Sequence, residues 1–226
     1  MVPRRTAKRK ARSVVDPDRW TAAERRFFAN LKNPAAIQRF LNSIPYNIDP
    51  ITRSARGVIE HKRAHCLDGA TFAAAALEAN GEPPIIIDMR ASSDDDDHVL
   101  ALFRRNGCWG AIAKSNFVTC RYRDPIYRTI RELALSYFDG WFNLAGKKTL
   151  REYSGVLDLR KIKDPDWRRS SGDIDPLGFR LDAIRHYRLV NGAQIRSLEP
   201  ADDLSFRGAT LGLDMRGAYK VKNPRK

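Results

Sequence analysis

Cysteine is scarce in this chain: 226 residues contain only Cys66, Cys108 and Cys120. An odd, small count argues against a disulfide framework and for free thiols in a reducing compartment, so a cytoplasmic setting is expected. Long apolar runs are also missing. No stretch approaches the ~20 residues of a transmembrane helix, and the basic N-terminus lacks the apolar core of a secretion signal. Metal and nucleotide signatures are absent as well: there is no HExxH, no CxxC, and no glycine-rich loop after the apolar segment 84–88. His61 and His65 lie four apart but flank a helix end, a poor arrangement for zinc. Neither a metal nor a cofactor is expected. Acid is lacking only at the two ends. Residues 1–15 hold six basic side chains and residues 216–226 hold five, so the formal charge of +14 falls to about +3 for the body. Tails of this kind support weak, salt-sensitive binding to nucleic acid and say little about the folded part.

The remainder is long enough for one well-buried core. Residues 1–17 read as a basic disordered arm, 18–192 as the folded domain with helices toward its end, and 193–226 as a loosely structured basic tail. Thr21-Ala-Ala-Glu24 is a capping box that opens a helix. Asn33-Pro34 supplies an N-cap and an N1 proline for a second. A third helix is predicted over 52–61. The fourth opens at Cys66 and puts Cys66, Ala70, Ala73, Ala74 and Leu77 on one face, small enough for close packing on a sheet. Asn80-Gly81 stops it. Residues 84–88 read as a strand covered on both faces. Asn106-Gly107 signals a two-residue hairpin turn, and its register sets Ser115 opposite His98. The pattern then predicts a helix after Asp124-Pro125, with Ile126, Tyr127, Ile130, Leu133 and Tyr137 on its apolar stripe, and another over 177–189.

Two residues carry the chemistry. Cys66 stands at a helix start, where unpaired N–H groups and the helix dipole favour a thiolate. His98 opens a strand and can act as general base if the fold brings it within hydrogen-bond reach. The bland readings are a buried inert thiol and a strand-end histidine. Asp94 to Asp97 read as a solvated acidic loop, without the spaced ligands and glycine turn of a calcium loop.

The order Cys66-Leu67-Asp68, Ala73 to Ala76, Leu77, Gly81, an apolar strand, His98 and Trp109 resembles the transglutaminase-like branch of the papain-like cysteine enzymes, over residues 52–118. The resemblance implies an α+β fold, with the cysteine-bearing helix packed on an antiparallel sheet that carries the histidine. It also implies cysteine-dependent acyl transfer on the amide bond of a peptide or protein. The pattern departs in one place: no carboxylate follows Trp109 to orient the imidazole. Ser115 has the right strand parity for that role and Asn116 the better chemistry. The predicted catalytic set is therefore Cys66, His98 and either Ser115 or Asn116. The alternative is a degenerate domain that keeps the fold for binding, with its basic tails directed at nucleic acid.

Overall fold

The structure, a computed structural model, describes residues 20–225. It is α+β, with helices packed on both faces of one antiparallel sheet. The basic arm 1–17 lies outside the described residues. Helices α1 (Ala22–Asn30) and α2 (Pro34–Ser43) start at the two predicted caps, with Thr21 and Glu24 bonded reciprocally and the Asn33 side chain accepting from Ala36 N–H. Helix α3 (Ala55–His61) begins three residues later than predicted, because Ser54 caps it. Helix α4 (Cys66–Ala79) is buried from Leu67 to Glu78 and lies between α1–α3 and the sheet. Ala73 to Ala76 are fully buried and let neighbours close in on every side. Gly81, at φ 82°, turns the chain out of it.

Strands β1 (Ile85–Ala91), β2 (His98–Arg105) and β3 (Cys108–Ile112) form the sheet centre, and the Asn106-Gly107 turn pairs Arg105 with Cys108 as expected. The ladder stops at Ala101 with Ile112, so Ser115 never reaches a position opposite His98. The helix predicted at Asp124-Pro125 is a strand instead. Residues of β4 (Arg123–Tyr127) pair with β3 along the sheet edge, where a proline costs no ladder bond, and Ile126 is 69% exposed. Helix α5 (Ile130–Leu135) starts only after the Thr129–Glu132 capping box. Next come β5 (Leu150–Ser154), β6 (Leu157–Asp158), α6 (Pro176–Asp182) and β7 (His186–Arg188), giving the order β4-β3-β2-β1-β5-β7 with β6 beside β1. The predicted 177–189 helix thus splits, because His186, Tyr187 and Arg188 pair with β5.

Alternation along β2 separates two cores. Val99, Ala101 and Phe103 face α4, while Leu100 and Leu102 face α5 with Met89, Tyr137 and Trp141. Residues 193–225 are more ordered than the tail reading implied. They carry helices α7 (Gly192–Arg196) and α8 (Asp203–Ala209), and Ala201, Phe206 and Ala209 pack on Phe142 and Leu144 as a third cluster. Among the described residues no helix is long and apolar enough to cross a membrane.

Candidate active site

Cys66 is the first residue of α4, and His65 is its N-cap. The His65 Nδ1 accepts from Leu67 N–H at 3.1 Å, which leaves the ring proton on Nε2, near Thr52 Oγ1 at 3.3 Å. Asp68, fully buried, closes the cap. Its carboxylate accepts from His65 N–H at 3.0 Å, Arg53 N–H at 2.6 Å and Asn47 Nδ2 at 3.0 Å. Asp68 therefore ties two main-chain N–H groups and the Asn47 side chain together at the helix start.

The Cys66 sulfur faces the main-chain N–H groups of Val99 and Leu67, which favour its thiolate. Burial outweighs them, and with the charges of Asp68 and Asp96 it pushes the thiol up to about 12. The resting group is a neutral thiol. It lines an open cavity of about 400 Å³ with Asp49, Asp88, Asp97, Asp175 and Asp182.

Strand parity carries the His98 side chain to the opposite face of β2 from Val99, beside its partner Met89. The ring meets Trp141 edge-on at 5.7 Å between centroids. Its Nε2 lies 2.9 Å from the Cys120 carbonyl, an acceptor only, so Nε2 carries the proton and the lone pair sits on Nδ1. Burial, ahead of any partner, lowers the imidazole to about 4. Cys66 and His98 thus line two different hollows. Tyr46 lines the His98 hollow, and the Cys66 N–H group lies against its hydroxyl.

Neither predicted orienting residue holds His98. The Ser115 hydroxyl accepts from Phe117 N–H at 3.1 Å. Asn116 clamps Asp214 from both sides, donating to its carbonyl at 2.8 Å and accepting from its N–H at 2.9 Å. The orienting acceptor is the main chain of Cys120, which has no residue-type signature to read. Cys120 itself is buried, and its thiol is likewise pushed up to about 12.

Two further features escaped the sequence. His186 Nδ1 faces the Ile184 carbonyl at 2.7 Å and Nε2 faces Asp88 at 3.0 Å, so one proton lies between the ring and the Asp88 carboxyl. Burial and the charge of Asp97 raise Asp88 to about 6. The acidic loop is anchored rather than free: Asp94 pairs with Lys147 at 2.6 Å, Asp95 accepts from Thr149, and Asp97 accepts from Ala91 N–H at 2.7 Å. Asp97 also brings a carboxylate oxygen within 4.8 Å of those of Asp88 and Asp182. A run of four aspartates gave no sign of which one would turn inward.

No protein-family model matches the chain, and no curated protein matches it significantly. Among solved structures, calcium-bound LapG of Legionella pneumophila is similar at 16% identity, over 69% of this chain and 86% of that chain, with a TM-score of 0.37. A likeness that remote leaves the residues of this chain to carry the functional reading.

Proposed function

We propose that the protein is a cysteine-dependent acyl-transfer enzyme acting on the amide bond of a peptide or protein. One observation carries this reading: the Cys66 sulfur, at the start of a fourteen-residue helix, faces two main-chain N–H groups at the wall of an open cavity. The Val99 donor suits the negative charge that builds on sulfur as the thiol gives up its proton, and the Leu67 donor is shared with His65 Nδ1. In the reaction the thiol proton reaches His98 Nδ1, which lines the adjoining hollow rather than the Cys66 cavity, through an intervening water as the S–C bond forms and the carbonyl electrons move onto oxygen. Collapse of that adduct expels the amine, which takes the proton from His98 and leaves a thioester. Water or a second amine then attacks the thioester, His98 again accepts the proton, and the thiol is restored. The tautomer supports this assignment, because the Cys120 carbonyl fixes the proton on Nε2 and frees Nδ1.

A second reading has its own support. A thiol at about 12 and an imidazole at about 4 disfavour a thiolate–imidazolium pair, and no carboxylate supports His98. Those features suit a binding module that retains the shell of the site. Iodoacetamide alkylation followed by peptide mass mapping separates the two. In the acyl-transfer enzyme, His98→Ala slows alkylation of Cys66 at pH 7 by about tenfold or more, an effect in the range of general-base assistance. Cys108, remote in the fold, serves as the internal control. A Cys66 rate indifferent to His98 sinks the enzymatic reading and leaves the binding module.

A further inference from the structure

One titratable ring on the wall of the Cys66 cavity has no part in the reaction described above. His65, the N-cap of α4, lines the same cavity as Cys66, whereas His98 lines the adjoining hollow. The His65 Nδ1 lone pair accepts from the Leu67 N–H at 3.1 Å. That N–H is also one of the two main-chain donors that favour the Cys66 thiolate. One donor thus serves two acceptors, the ring of His65 and the sulfur of Cys66. The other ring nitrogen, Nε2, lies 3.3 Å from Thr52 Oγ1 and 3.3 Å from the Asp68 carboxylate.

Protonation of the ring changes that division. An imidazolium carries hydrogen on both nitrogens, so Nδ1 becomes a donor and can no longer accept from Leu67. The Leu67 N–H is then left to the sulfur, with a positive charge beside it, and both changes favour the thiolate. The groups around the ring support its charged form. Asp68 faces Nε2 from the first turn of α4. Asp175, on the approach to α6, accepts from Thr52 Oγ1 at 3.2 Å, and Asp173 accepts from Thr52 N–H at 3.0 Å. Asp88, Asp97 and Asp182 stand elsewhere on the cavity wall, and Asp49 is taken up by Arg53 and Arg63. Among the described residues no lysine or arginine lines the cavity. His98 adds no opposing charge near neutral pH, because burial lowers it to about 4.

We propose that His65 is a positioning residue for Cys66: by gaining or losing a proton at Nδ1 it yields the Leu67 N–H to the sulfur or takes it back. The proposal rests on Cys66 as the nucleophile of the function proposed above, and it does not require His98 to be the base. The test is the rate of Cys66 alkylation by iodoacetamide in the full chain from pH 8 down to pH 5, the interval in which imidazoles change charge. His65→Asn keeps a cap oxygen for the Leu67 N–H and cannot take up a proton. Parent and variant are expected to react alike at pH 8, and the parent about three- to tenfold faster than the variant at pH 5. Loss of a merely structural cap would instead change the rate by one factor at every pH. A second measurement needs no variant: in the parent, the Leu67 amide proton resonance should move with the same midpoint as the His65 ring resonances. The rise in the parent-to-variant ratio is expected again when both proteins carry His98→Ala, so failure of the His98 assignment and failure of this one register separately. A ratio that stays constant from pH 8 to pH 5 in either background, or a Leu67 amide proton indifferent to the His65 titration, would overturn the proposal.

Discussion

The His98 ring is buried against Trp141, with a main-chain carbonyl as its hydrogen-bond partner, and this couples stability to pH. Its folded value of about 4 lies below the 6.5 of a free imidazole. As pH falls through that interval the unfolded chain gains a proton that the folded chain refuses, so this residue's contribution to stability declines. Asp88 and Asp95 act in the opposite sense. Both are raised to about 6 by burial, so the stability tied to their protonated forms is present at low pH and lost as pH rises toward 6. A pH profile of the parent therefore mixes opposing slopes, and a variant is needed to separate them. His98→Gln keeps an amide donor for the Cys120 carbonyl and cannot titrate. Urea unfolding should show the parent's advantage over this variant shrinking by up to about 3 kcal/mol between pH 6.5 and pH 4. A gap that stays constant across that range would mean that the ring is not held neutral.

Helix α4 shows how an element can be legible while its surroundings are not. Its start at Cys66, its alanine run and its stop at Asn80-Gly81 are local signals, and the structure follows them. The Asn106-Gly107 hairpin is local in the same sense, and its register is the expected one. The partners of α4 are non-local. Gly69 faces Lys114, whose ammonium is fixed by the carbonyls of Leu41 at 2.8 Å and Ile44. A Cβ at position 69 would fall inside van der Waals contact of the Lys114 Cβ, and that side chain has nowhere to move. Gly69→Ala gains roughly 1 kcal/mol of helix propensity, but overpacking costs ~1–3 kcal/mol. A net loss of stability in denaturant unfolding is the expected outcome, and a stabilised variant would show that Lys114 yields. Similar non-local forces defeated the other helix assignments. Pro125 fits an edge strand as well as a helix start, and only pairing with β3 decides between them. His186 has helical neighbours in sequence, yet Ser154 and Asp88 draw it into the sheet. The site was legible to the same depth: Cys66 and His98 stand at a helix start and a strand start, but which face of β2 the ring takes, and which carbonyl holds it, depend on chain far away.

At the scale of the whole molecule, the basic C-terminal segment is part of the fold's closure. Phe206 stacks on Phe142 at 5.8 Å, and Arg225 donates to the Ala201 carbonyl at 2.6 Å and lies over the Phe206 ring. Asn116 grips Asp214 immediately after the strand pair that carries His98. Gly217, Ala218 and Tyr219 complete the wall of the His98 hollow, and the Tyr219 hydroxyl donates to the Ser93 carbonyl at 3.1 Å. Of the charges that gave this segment the look of a solvated tail, Arg225 is docked and Arg216 pairs with Asp214, while Lys220 and Lys222 stay exposed. Loss of Phe206 alone removes contacts of a kind worth ~3 kcal/mol or more, and for a chain of this size each kcal/mol moves the melting temperature by ~2–4 °C. Ending the chain after Pro200 should therefore lower the melting temperature by roughly 10 °C and expose Phe142 and Leu144 to a hydrophobic dye. Asn116→Ala cuts only the clamp, so it should cost a few degrees at most and leave the dye signal near that of the parent. A truncated protein that melts with the parent would return residues 201–226 to the status of a solvated tail, and the wall of the His98 hollow would then have to come from the body alone.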